Sequence, residues 1–256
     1  VSFTPDGRWS SNIRSLLFPY LNPTIGSDIF TASDVPLTIH DSNSHLHTVI
    51  ASACTKMPSI RLSPKETILG DCEFTGIRGT GADWAAADKL YTVATTGGTL
   101  TDTAFTVAAI KTQLYTGAWG AKTGFTSIVT EDGWTIDWDL GISYMQIDEV
   151  GTVKAVLNSV SCMAKCVPIG PTWANIVAGQ LIQDSGSARG ASLQGGGADL
   201  TITGADASTI IVVKNAALKT AGYRFGTGVL RDNEVGWVST RSFSSGVVAT
   251  SIASLT

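Results

Sequence analysis

The sequence predicts a mainly β protein: an antiparallel β-sandwich or barrel with one or two flanking helices and long loops. Three observations carry this. Gly (27 residues) and Thr recur every few positions, and Val, Ile and Thr fill the apolar stretches, which is a strand-and-turn composition. Apolar and polar residues alternate strictly over 134–140. The strand-like segments also follow one another without regular helical crossovers, which favours antiparallel connections. An all-β domain can reach 256 residues. The span 1–256 is therefore read as a single domain, with an N-terminal arm over 1–30.

Along the chain, residues 11–21 (SNIRSLLFPYL) are weakly helical and broken at Pro19. Strands are expected within 37–58 and 68–77, with Pro58 and Pro64 bracketing a short extended piece. Residues 82–91 (ADWAAADKLY) predict a helix, with Asp83 as N-cap and Trp84, Ala87, Leu90 and Tyr91 at helical spacing. Residues 125–140 predict a β-hairpin. Its turn is Glu131-Asp132-Gly133, with Gly133 free to take a positive φ. In its second strand Trp134, Ile136, Trp138 and Leu140 form the buried face and Thr135, Asp137 and Asp139 the polar one.

Residues 151–169 predict one long strand ended by Pro168 and Pro171, and 171–183 a helix capped by Thr172. Residues 184–199 (DSGSARGASLQGGGAD) have the composition of a flexible loop. Residues 198–203 and 208–219 predict a pair of strands.

Composition narrows the function. Hydrophobic residues make up 43%, enough for a sizeable core. Charged residues are only 15%, below the roughly 25% of soluble domains. Such a surface often faces partners. Net charge is −4, which argues against a protein that grips nucleic acid by its phosphates. Residues 1–160 hold 10 Lys and Arg against 16 Asp and Glu; residues 161–256 hold 7 against 5. The weakly basic end can therefore meet the acidic part of a neighbour, or the difference is ordinary surface scatter.

No chemical constellation survives scrutiny. His40, Asp41, His45 and His47 fall within eight residues, but HDSNSH reads as a turn and no further ligand group follows. Cys54, Cys72, Cys162 and Cys166 make no C-x-x-C pair and read as buried free thiols. GTGADW and GGGAD lack the Lys that a phosphate cradle needs. There is no G-x-S-x-G elbow.

Glu131, Asp132, Asp137, Asp139, Asp148 and Glu149 form an acid-rich region with no Lys or Arg between Lys122 and Lys154. With Trp134 and Trp138 nearby, it suggests a glycoside hydrolase cleft. The alternation, however, puts the rings opposite the acids. A solvated face or the wall of an acidic channel fits better. We expect no catalytic residue, metal or cofactor.

Few charges, many strands and no chemistry suit a building block. The run over 34–77 resembles the major tail tube proteins of long-tailed bacteriophages. The resemblance rests on Thr55, Met57, Pro58, Ile60 and Leu62, then Leu69, Gly70, Phe74 and Thr75. A closing stretch over 223–243 (YRFGTGVLRDNEVGWVSTRSF) is similar to the same family, in particular EVGWVSTRSF from Glu234. Together these segments cover about a third of the chain.

The resemblance implies a virion structural protein, with the tube fold shared by type VI secretion. Copies join their sheets into rings, usually of six. Rings stack into a tube that conducts DNA without specific binding. Expected partners are the protein itself and the terminator, tape measure and tail tip components, with no membrane. Expected location is the virion tail, assembled in the host cytoplasm. Glu131, Asp132, Asp137 and Asp139 become candidate lumen-facing acids. Arg231, Glu234, Trp237, Arg241 and Phe243 mark a candidate strand near the subunit interface, with Trp237 and Phe243 packed inside. The alternative is a secreted β-sandwich that binds or cleaves polysaccharide; no secretory signal pattern opens the chain to support it.

Overall fold

The computed structural model describes residues 2–4, 17–21, 24–29, 35–40, 46–63, 67–76, 91–94, 115–119, 128, 130–148, 151–168, 199–204, 210–214, 216–220, 223–226, 229–232, 234–239 and 250–254. Among them the chain is almost entirely strand. In chain order the strands are β1 (Ser2–Phe3), β2 (Val35–His40), β3 (Leu46–Lys56), β4 (Ile60–Leu62), β5 (Thr67–Leu69) and β6 (Cys72–Gly76). Then come β7 (Tyr91–Ala94), β8 (Tyr115–Trp119), β9 (Thr130–Ile147), β10 (Gly151–Pro168), β11 (Leu200–Gly204) and β12 (Ile210–Val213). The last five are β13 (Ala216–Thr220), β14 (Tyr223–Gly226), β15 (Val229–Asp232), β16 (Val235–Ser239) and β17 (Thr250–Ser254).

One sheet runs β1-β6-β3-β2, with β7 also on β3. A second runs β13-β16-β10-β9-β4-β5 and a third β17-β12-β11-β8, while β14 and β15 pair alone. Every pairing between these strands is antiparallel, as the composition predicts.

The second sheet positions everything that follows, and its spine is the β9–β10 hairpin. The predicted turn at 131–133 is not a turn. β9 runs straight through it, and the hairpin reverses only after Ile147, which pairs with Gly151. Gly133 does take a positive φ, +88°. It serves a bulge instead: the register passes from Cys166↔Trp134 to Pro168↔Thr130, so 131–133 oppose a single residue of β10. At the same point the Leu62 carbonyl of β4 crosses β9. A Cβ on Gly133 would lie 1.7 Å from that oxygen, so only glycine lets the strand pass.

β10 forms as predicted and carries its own bulge. Ala155 and Leu157 are buried at odd positions; Val160, Cys162, Ala164 and Cys166 are buried at even ones. The register shift between Leu157 and Ser159 changes the parity. Without it the second half of the strand would turn its apolar set outward.

Residues 208–219 do not make one strand. A turn at Lys214 divides them into β12 and β13, which belong to different sheets. Tyr91, placed at the end of a helix by its spacing, opens strand β7. The rest of that segment, the helix over 171–183 and the loop over 184–199 up to its last residue lie outside the described residues.

One hydrophobic cluster joins the elements, from Leu17 and Phe18 near the start to Val235 and Trp237 near the end. Trp134 and Trp237 are its largest fully buried side chains, ring centroids 5.7 Å apart and tilted by 40°. The Phe18 ring packs on Trp138 at 5.0 Å. β16 lies between β13 and β10, and where it ends, the Ser239 hydroxyl accepts the Cys162 N–H at 2.9 Å.

Candidate functional site

The acid-rich stretch lies on the second sheet, on the face away from the core. Trp134 and Ile136 are buried and Trp138 packs against the core, so Asp137 and Asp139 point the other way. Asp139 is exposed opposite Ser161, and Asp137 is half-buried opposite Met163. Asp132 is exposed within the bulge, and Glu131 belongs to the same bulge.

Neighbouring strands bring cations to this face. Thr135 pairs with Lys165 on one side and Arg61 on the other, and Lys165 meets Glu234 at 3.8 Å. The acid run in the sequence is therefore a mixed-charge face in the sheet.

The closing strand is placed differently from the acids. Trp237 is fully buried in the chain's own core. β16 has a partner on both sides, so it is no free edge for a neighbouring copy. Glu234 is exposed at its start, and Arg231 lies in β15 opposite Arg224. Arg241 and Phe243 lie outside the described residues.

His40 and His47 fall on β2 and β3, in adjacent pairs of one ladder, while Asp41 and His45 lie outside the described residues. Among the described residues no group of three His, Cys, Asp or Glu is arranged to hold a metal, and no helix is long and apolar enough to cross a membrane.

A feature that residue patterns did not point to is the edge of β9. β4 pairs only with Trp134–Ile136. Beyond them, among the described residues, no strand pairs with the outer edge of 137–147. The same stretch exposes Tyr144, Met145 and Ile147, each about half accessible. The length of the strand did leave a signal, since after Gly133 no turn residue pair occurs until Asp148-Glu149, but the open edge left none.

The four cysteines are buried free thiols. Burial pushes Cys54 from 9.0 up to about 12, with the nearby Cys72 adding to it. Burial likewise lifts Cys72 to about 11, and raises Cys166, where Glu234 adds its charge. The protonated thiol favours the fold, so this contribution is complete below pH 9.0 and declines as pH rises toward 11 and 12, because only the unfolded chain ionises there. Native protein at pH 8 is expected to resist iodoacetamide over hours, and four labels are expected in urea by intact mass. Rapid native labelling of Cys54 or Cys166 would contradict their placement.

No protein-family model matches the chain, and no curated protein matches it.

Proposed function

We propose that this is a virion structural protein that self-assembles into stacked rings, six copies each, forming a tail tube that conducts DNA. The observation that carries the reading is the β9 edge over 137–147, which no strand pairs with among the described residues and which exposed Tyr144, Met145 and Ile147 flank. A long unpaired edge is a template for pairing with another chain, and natural proteins blunt such edges unless they are used. Among the described residues the sheet ends in β13 on its other side. Joining β9 of one copy to β13 of the next is a head-to-tail contact, the kind that makes a ring when the rotation between copies closes.

In such a ring the face bearing Asp137 and Asp139 turns to the channel. Acids there repel DNA phosphates and let the duplex slide. Arg61 and Lys165 share the face and temper that repulsion. The secreted polysaccharide-binding reading cannot use Trp134, Trp138 or Trp237 as stacking surfaces, because Trp134 and Trp237 are core residues and Trp138 packs on Phe18.

Electron microscopy of the purified full chain tests the assembly: rings or tubes support it, and a monomer at every concentration by light scattering defeats it. The channel assignment has its own test. Asp137→Lys with Asp139→Lys should leave assembly intact but make the tubes retain DNA. Each added cation adds a phosphate contact in every subunit, with affinity falling steeply in salt. Tubes of this variant that still ignore DNA would place that face outside the channel.

A further inference from the structure

A two-stranded hairpin has two lateral edges, and here they are treated oppositely. β10 is covered on its outer side over Ala155–Leu157 and Cys162–Cys166. β16 pairs with it from Met163 to Cys166, and the Ser239 hydroxyl takes the Cys162 N–H. Farther out, the segment 24–29 crosses it. Gly26 N–H donates to the Leu157 carbonyl at 2.8 Å, Leu157 N–H donates to the Ser27 carbonyl at 3.1 Å, and Asp28 bridges Val156. The Asp28 carboxylate accepts the Ala155 N–H at 3.5 Å. β9 carries no such cover among the described residues beyond Ile136.

The crossing segment is built for its place. Gly26 turns at φ +87°, and the Ser27 hydroxyl donates to the Thr24 carbonyl at 2.7 Å. Ile29 after it is fully buried, as are Leu17 and Phe18 before it. With a single bridge to β10, the segment adds almost nothing to the sheet as a strand. What it does is occupy the N–H and C=O groups that another chain would need.

We infer that residues 24–29 are an edge guard: they close the β10 side of the hairpin over Ala155–Leu157, so that a second copy of this chain adds at β9. This deepens the assembly reading above by giving it a direction. A hairpin open on both sides could add copies at either edge and grow without a fixed order.

Two full-length variants test it. Gly26→Pro removes the donor to Leu157 and cannot reach a φ of +87°. Hydrogen exchange should then show the Leu157 amide losing protection. Sedimentation should show association beginning at a concentration about tenfold lower than wild type or below, in species without a size limit. The lock Asp28→Cys with Val156→Cys joins the bridge pair by a disulfide and should assemble at the wild-type concentration when oxidised.

An exposed Leu157 amide with unchanged association overturns the guard. So does a lock that blocks assembly, since the segment would then have to open. The lock decides alone if Gly26→Pro does not fold. If wild type stays monomeric throughout, the assembly reading fails, while the guard is still judged by whether opening the segment makes the monomer associate.

Discussion

Gly133→Ala is expected to cost about 4 kcal/mol of stability and lower the melting temperature by about 10 °C. Two costs combine. A φ of +88° strains any residue with a Cβ, by about 1–3 kcal/mol. The new Cβ would also meet the Leu62 carbonyl oxygen at 1.7 Å and its carbon at 2.8 Å. Backbone cannot swing aside as a side chain can, so β4 must move off β9, and overpacking of this kind adds about 1–3 kcal/mol. Gly26 supplies the control. Its φ is +87°, yet a Cβ there meets nothing within 4 Å, so Gly26→Ala should show the strain alone. Urea and thermal unfolding of both variants separate the terms. Equal losses in the two would remove β4 from the account.

The same glycine shows where residue patterns stop being readable. Glu131-Asp132-Gly133 has good turn chemistry, and a glycine at positive φ serves a hairpin turn and a bulge equally well. Which one forms depends on Leu62, which lies far back in the chain. The alternation from Trp134 to Leu140 was legible because burial of one face leaves a local trace. The bulge in β10 left a trace that the expectation of one long strand passed over, the change from odd to even apolar positions after Leu157.

The acids could be found by charge alone, but Arg61 and Lys165 reach their face only through strand pairing. The open edge was hidden for a related reason. Among the described residues it exists because β4 is three residues long while β9 is eighteen, and nothing in β9 records the length of its neighbour. Trp237 was legible as an inward-facing residue. That its strand is enclosed on both sides, and so unavailable to another copy, follows only from the order of the sheet.

Met145→Lys with Ile147→Lys should abolish assembly while leaving the monomer folded. Both side chains are about half exposed, 53% and 51%, so the isolated chain has little to lose, within about 0.5 kcal/mol at each site. In the ring they lie along the joined edge. Covering the exposed half of each contributes about half of the 1.5–3 kcal/mol of a whole side chain, and losing both weakens the contact about tenfold or more. Lysine adds a second obstacle, since it is the residue natural edge strands use against pairing. The comparison with Asp137→Lys and Asp139→Lys is what gives the result meaning. Both pairs add two lysines to the same strand, on the same side by parity, and both raise the net charge. If added charge alone opposed assembly, the aspartate pair, with the larger charge change, would be the more damaging. If the β9 edge near its tip is the contact, the apolar pair fails and the aspartate pair assembles. Sedimentation velocity across a concentration series, with circular dichroism confirming the fold, distinguishes these outcomes. Wild-type assembly by Met145→Lys with Ile147→Lys would remove the outer part of β9 from the contact between copies.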